Sequence, residues 1–435
     1  MREKLSKNKK EKVAVAFISG SAGELDWMMP ILDFLQNKQF KIKIIFLTRH
    51  SFKSVKQNKM CNDFISKKNS NLEVVLCGEA FFEKIERISY LSFRLFLKLK
   101  LNNFLLIRNL YFIYDQLFKY LFMKKIPKDL LNLKDEKYLF FSEFPSLRRP
   151  RDLWIKETFK KSLFFYCPHS PHIYAEDLDK KYLEPDLVDT RKKNFLLMGH
   201  PGDFFILNDE KELANPNLEK VFMGHPKYSN KWLSILQNKA KKFHSSLPIR
   251  KKINILVISR GYGSYLDEIS HNNLVETTIK TIHESIPNYN LFVKKHPREI
   301  FSHWDFILKD YPSIQIVNDH ILELAANVDF VVSFWGSGAM DCFSLGTPVI
   351  EYWDPNKYSK GQVFEKDSYN TIYRKLGIVL AANSQKELKT RISELVSNNF
   401  KLTSYESHPF FEDLVDRSNK WDKTMEKIFL SHNII

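Results

Sequence analysis

The stretch Asp329-Phe-Val-Val-Ser-Phe-Trp-Gly-Ser-Gly-Ala-Met-Asp-Cys-Phe-Ser-Leu-Gly-Thr-Pro-Val-Ile-Glu-Tyr352 decides the fold class. An uninterrupted apolar run into Ser333 reads as a buried parallel strand, since such strands are covered on both faces. Gly336, Ser337 and Gly338 then form a turn that opens a helix, and the turn amides with the Ser337 hydroxyl make an anion site at its N-terminus. Asp341 lies one turn into that helix, favoured by its dipole and within reach of a ribose or base. Leu345-Gly-Thr-Pro ends the helix and starts a further strand, which closes with Glu351.

The same unit recurs upstream. Ile253-Asn-Ile-Leu-Val-Ile-Ser259 is a strand that runs into Arg260-Gly-Tyr-Gly-Ser264, where Gly261 and Gly263 let the backbone approach a ligand. Leu291-Phe-Val-Lys-Lys-His-Pro-Arg298 delivers Lys294, Lys295, His296 and Arg298 to the carboxyl end of another strand, the edge at which open α/β sheets bind ligands. Cationic groups beside an imidazole suit a diphosphate. A further strand is expected at 314–317.

The first half repeats the pattern. Val13-Ala-Val-Ala-Phe-Ile18 is continuously apolar and ends in a turn with Gly20 and Gly23, followed by apolar residues at helical spacing from Trp27 to Leu35. Strands are expected at 41–48, 73–76, 138–142, 163–167, 195–198, 203–207 and 221–223. The whole predicts an α/β protein of two Rossmann-like lobes with a cleft between them. Its expected divisions are a disordered basic tail at 1–12, a first lobe at 13–240, a linker at 241–252, a second lobe at 253–405, and a helix with a tail at 406–435. The first lobe carries a basic, apolar helical insertion at about 84–125.

The chain of 435 residues has 67 Lys+Arg against 51 Asp+Glu, a formal charge of +16. Its 44% hydrophobic content excludes a disordered chain, and 13 glycines with 17 prolines exclude collagen-like and low-complexity classes. Cys61, Cys77, Cys167 and Cys342 are scattered and form no Cys-x-x-Cys, which argues against a disulfide scaffold or zinc ribbon and for a reducing cytoplasm. No span of membrane length and no leader pattern is present, so the expectation is a soluble or peripheral protein. The charge is concentrated in the tail, in the linker, near Lys294, and across 84–125, where nine Lys+Arg face two acids (Glu86, Asp115). Bases interspersed with apolar residues on helices fit an anionic membrane surface as well as they fit core-facing helices with snorkelling lysines.

Lys294-Lys-His296-Pro297, then Asp329-Phe-Val-Val-Ser333 with Gly336-Ser-Gly-Ala-Met-Asp341, then Gly346-Thr-Pro-Val-Ile-Glu-Tyr352 together resemble the donor domain of GT-B transferases. The nearest branch is that of bacterial CDP-glycerol glycerophosphotransferases and capsule-polysaccharide transferases, with Gly336-Ser337 standing where that branch usually has two serines. The resemblance covers 253–352. It implies a CMP-, CDP- or UDP-linked donor held by Arg260, Gly261, Gly263, Ser264, Lys294, His296, Arg298, Gly336, Ser337 and Gly338. Asp341 and Glu351 would reach the nucleoside, and neither a metal nor a separate cofactor is expected. In the first half, Phe222-Met-Gly-His-Pro-Lys-Tyr-Ser229 is similar to the Gly-x-Pro-x-x-Asp of acceptor domains, and the turn Tyr166-Cys-Pro-His-Ser-Pro-His172 is similar in placement to a His-containing turn of that branch.

The expected activity is transfer of a sugar or polyol phosphate from a nucleotide-activated donor to a glycan or lipid-linked hydroxyl, in assembly of a surface polysaccharide or glycolipid. The acceptor hydroxyl needs a base. His169, suited by a pKa near neutrality, competes with His172, Asp26 and Glu24, the last two of which equally fit as first-turn charges of a helix. A non-hydrolysing UDP-N-acetylglucosamine 2-epimerase is the alternative enzyme of the same fold. Glu351-Tyr-Trp-Asp-Pro-Asn stands where that family has a run of Arg, Thr, Glu and Pro, which counts against it. A non-catalytic membrane- or nucleic-acid-binding protein would also use the charge, but no recognition helix, RNA-binding aromatic signature or zinc spacing supports nucleic acid.

Overall fold

The structure, a computed structural model, describes residues 12–67, 71–76, 138–143, 162–167, 194–198, 218–243, 252–261, 266–296, 299, 303–358, 371–375, 377–402 and 420–434, with isolated positions at 95, 99, 106, 110 and 113. The expected tail, most of the 84–125 insertion and the expected strand at 203–207 lie outside the described residues.

The first lobe runs β1 (Val13–Ile18), α1 (Ala22–Asn37), β2 (Lys41–Phe46), α2 (Arg49–Gln57), α3 (Lys59–Ser66), β3 (Leu72–Leu76), β4 (Leu139–Ser142), β5 (Leu163–Tyr166), β6 (Asn194–Met198) and β7 (Leu218–Phe222). A 3₁₀ turn (Pro226–Tyr228) and α4 (Asn230–Phe243) follow. The second lobe runs β8 (Ile253–Ile258), α5 (Glu268–Ser285), β9 (Tyr289–Lys294), α6 (His303–Ile307), β10 (Ile314–Ile316), α7 (Ile321–Ala325), β11 (Phe330–Ser333), α8 (Gly338–Ser344) and β12 (Val349–Tyr352). It continues with α9 (Pro355–Tyr358), α10 (Ile372–Lys375), β13 (Leu380–Ala382) and α11 (Gln385–Ser397), and the chain closes with α12 (Lys420–Ser431).

Both sheets are parallel throughout their described pairs, in the orders β3-β2-β1-β4-β5-β6-β7 and β10-β9-β8-β11-β12-β13. Every residue of β1 is buried, as a strand covered by helices on both faces demands. The abundant phenylalanines have a defined task in the first sheet. Phe17, Phe140 and Phe164 stack across β1, β4 and β5 at 5.5 and 5.2 Å, while Phe141, Phe165 and Phe195 stack across β4, β5 and β6 at 5.0 and 4.9 Å. Register puts Phe140 opposite Phe164 and Phe141 opposite Phe165, so alternate residues ladder on opposite faces.

One expected boundary moves, and the expected last helix finds its partner. The expected linker at 241–252 begins inside a helix, because α4 extends to Phe243, with Trp232, Leu233 and Leu236 buried on one face. The last helix returns to the first lobe: Trp421, Met425, Ile428 and Phe429, at i, i+4, i+7 and i+8, join its core, with Trp421 5.4 Å from Phe34. Cys61, Cys167 and Cys342 are buried free thiols. Among the described residues, no helix is long and apolar enough to cross a membrane.

Candidate functional site

In each sheet the strand order reverses at one place, between β1 and β4 in the first and between β8 and β11 in the second. Loops leaving the carboxyl ends of the strands diverge at such points and leave a crevice. The loop after β1 and those after β8 and β11 border these crevices.

In the second lobe, Trp335 adopts a φ of 60°, a left-handed conformation uncommon for a bulky residue. Arg260 holds it there. The guanidinium lies 4.1 Å from the Trp335 ring centroid and donates to its carbonyl at 3.0 Å. The turn this creates carries Gly336, Ser337 and Gly338, all half-buried, into α8. Among the described residues, the backbone amides of these three take no hydrogen-bond partner. Gly338 leaves room for the Ile321 side chain, since a Cβ there would lie 2.5 Å from Ile321 Cδ1. Gly261, across the switch point, approaches the backbone of Glu299, and a Cβ would lie 2.9 Å from Glu299 Cβ and 3.1 Å from its Cα.

The two lysines of the β9 end are turned to protein partners. Lys294 Nζ donates to the Asp319 carbonyl at 2.7 Å, and Lys295 Nζ pairs with Asp305 at 2.9 Å. Burial pulls the Lys294 pKa down despite nearby Asp319 and Glu323. His296 is half-buried, and its backbone N–H donates to Glu299 Oε2 at 3.1 Å.

The lobes meet in a buried cluster of charges. Lys227 Nζ, from the 3₁₀ turn after β7, lies 2.6 Å from Asp26 Oδ2 of α1 and 2.6 Å from Asp341 Oδ1 of α8. Tyr228 donates its hydroxyl to the same Asp341 oxygen at 3.0 Å, and His320 Nε2 lies 2.8 Å from Asp26 Oδ1. His320 Nδ1 accepts the Leu322 N–H at 3.2 Å, so Nε2 carries the hydrogen that the ring donates to Asp26. Burial alone would raise the Asp26 pKa, but His320 and Lys227 overcome it and hold the carboxylate below its ordinary range. Burial likewise works against the Lys227 ammonium and is overcome by Asp26 and Asp341, so Lys227 stays charged. For Asp341 burial wins over Lys227, with Asp26 adding to the rise, and its pKa goes up. At the rim, Lys59 pairs with Asp319, a second tie between the lobes.

Glu24 accepts the backbone N–H groups of Ser19 and Gly20 at 2.7 and 2.5 Å and so holds the loop after β1. Glu351 is fully buried, 2.7 Å from Arg374 Nε and accepting the Thr371 hydroxyl at 2.7 Å. Arg374 also donates to the Trp353 carbonyl at 2.6 Å and to Asn383 Oδ1 at 2.6 Å. Glu24, Asp26, Asp341 and Glu351 thus all have protein partners. His169, His172, Gly263, Ser264 and Arg298 lie outside the described residues. Sequence reasoning passed over Tyr228 and Lys227 as parts of a turn motif, and missed His320, Glu299 and Arg374. His320 precedes Glu323 at capping-box spacing, a signal for a helix start rather than for a partner in the other lobe.

No protein-family model matches the sequence, and comparison with curated proteins gives no match. Solved structures do match along nearly the whole chain. A UDP-GlcNAc 2-epimerase from Methanocaldococcus jannaschii is similar at 13% identity and a TM-score of 0.55, over 96% of this chain and 99% of that one. The Neisseria meningitidis UDP-GlcNAc 2-epimerase bound to UDP-GlcNAc is similar at 12% identity and 0.55, over 97% and 100%. Arabidopsis thaliana UGT89C1 complexed with UDP is similar at 10% identity and 0.53, over 97% and 99%. At these identities the likeness is one of fold, and the architecture is GT-B.

Proposed function

We propose that the protein is a nucleotide-sugar-dependent transferase that moves a sugar or polyol phosphate to a hydroxyl acceptor in assembly of a surface polysaccharide or glycolipid. One observation carries the reading: the amides of three consecutive half-buried residues, Gly336 to Gly338, take no hydrogen-bond partner among the described residues, and they follow Trp335, which Arg260 holds across the switch point. Unpartnered amides at the start of a helix suit the phosphates of a nucleotide, and a preformed dipole there stabilises the charge of a leaving diphosphate. The matching structures with UDP or UDP-GlcNAc bound support a nucleotide-sugar donor for this architecture. With Glu24 and Asp26 engaged by the fold, we assign the acceptor base to the turn at 166–172, with His169 as its first candidate.

Thermal-shift measurements with CMP, CDP, UDP and GDP test this reading. One nucleotide stabilises the chain, and His169→Ala keeps that stabilisation while losing turnover. Stabilisation by none of the four refutes the donor site. The second reading, a UDP-GlcNAc 2-epimerase, differs in needing no acceptor: conversion of UDP-GlcNAc alone to its 2-epimer would select it.

A further inference from the structure

Glu299 is a buried carboxylate just beyond the His296-Pro297-Arg298 motif, and it touches the end of β8, which borders the second-lobe switch point, and the end of the neighbouring strand β9. Oε1 accepts the Ser259 hydroxyl at 3.1 Å and lies 3.1 Å from His271 Nε2 of α5, while Oε2 accepts the His296 N–H at 3.1 Å. Trp304 Nε1 in turn donates to Ser259 Oγ at 2.9 Å, and the Glu299 N–H returns to the His296 carbonyl at 2.8 Å. The Glu299 Cα and Cβ form the floor against which Gly261 packs. A carboxylate this deeply buried is stable only when its oxygens are satisfied, so its position is fixed by these partners and theirs by it.

We propose that Glu299 is a positioning residue for the nucleotide site: it locks 259–261 and 294–296 into one rigid edge, holding Gly261 and His296 at a fixed separation for a bound diphosphate. One ladder bond, from the Ser259 N–H to the Lys294 carbonyl at 3.0 Å, already joins the two segments, and Glu299 extends that joint to the His296 backbone. Fixing both in the free chain removes an ordering cost that the ligand would otherwise bear. This rests on the reading of the second-lobe edge as a nucleotide site, but the rigid coupling of the two loops does not.

The test therefore has two arms, each on the full chain. Hydrogen exchange without ligand follows 259–261 and 294–296. Glu299→Gln presents an amide where one acceptor oxygen was lost, and exchange should speed up in both loops together. Asp329→Asn is the control, since Asp329 Oδ2 accepts the Asn254 N–H at 2.7 Å at the opposite edge of the same sheet. It should lower stability and leave both loops unchanged. The second arm titrates whichever of CMP, CDP, UDP and GDP stabilises the wild type. Glu299→Gln should raise its Kd by about tenfold, the size of one charge-assisted hydrogen bond, and Asp329→Asn should not. Should Glu299→Gln fail to fold, Ser259→Ala removes one of its partners and should loosen the same two loops to a smaller degree. Unchanged exchange at both loops in either variant, or loosening of only one loop, overturns the proposal. Loosening of both with no nucleotide bound by the wild type upholds the coupling and refutes the site.

Discussion

Lys227 Nζ and Asp26 Oδ2 lie 2.6 Å apart with both side chains nearly excluded from water, and the same ammonium reaches Asp341 in the other lobe. Charges buried in this way are held by each other, so removing one is costlier than never having had it. Lys227→Met should lower stability in urea unfolding by about 3–5 kcal/mol, the usual cost of stranding a buried partner. Adding Asp26→Asn and Asp341→Asn to Lys227→Met should recover more than half of that loss, because the stranded carboxylates are gone. Equal stability of the single and triple variants would count against an electrostatic seam.

The two aspartates should answer pH in opposite directions. Asp26 is held below its ordinary value of 3.8, so its contribution is present above that pH and is lost as pH falls below it. Asp341 is raised above 3.8, so its contribution is complete below that pH and is lost as pH rises through the folded value. Melting temperatures between pH 3 and 8 check both. Asp26→Asn should flatten the acid side, whereas Asp341→Asn should gain on the wild type as pH rises and then level off.

Arg374 bridges Glu351, Trp353 and Asn383, tying the end of β12 to the start of α10. Lysine offers one centre where arginine offers a planar fork. Arg374→Lys should therefore cost about 1–3 kcal/mol, as expected for lost bonds to a charged group, measured by chemical denaturation. Nucleotide affinity should stay within about twofold, since the Glu351 carboxylate faces the protein interior.

These contacts also explain what the sequence made legible. Val13 to Ile18 and Phe330 to Ser333 announce themselves because a doubly covered strand must be apolar throughout, and the glycine turns after them mark the carboxyl edges. The Asp26–His320 bond spans 294 residues and the Tyr228–Asp341 bond 113, and nothing local in either segment encodes a partner so distant. A helix dipole accounts for Asp26 and Asp341 equally well until both lobes are in view. The end of α4 read as linker because its lysines cluster, although its buried stripe is carried by Trp232, Leu233 and Leu236.

Two glycines of the edge should differ in tolerance. At Gly338 the obstructing atom is the end of the Ile321 side chain, which can rotate away. At Gly261 it is the Cβ and backbone of Glu299. Gly261→Ala should therefore cost about 1–3 kcal/mol by overpacking, and Gly338→Ala less, in thermal or urea unfolding. The reverse order would show that the 259–261 loop yields more readily than its contacts imply.

A nucleotide should bind on the carboxyl edge of the second sheet, against the amides of Gly336, Ser337 and Gly338. Hydrogen exchange of the full chain with and without saturating UDP, or whichever of CMP, CDP and GDP stabilises it, tests this most directly. Slowed exchange at 259–261, 294–296 and 334–344, with the amino-terminal edge of that sheet unaffected, is the predicted result. Protection confined to other segments, or none at saturation, would contradict it.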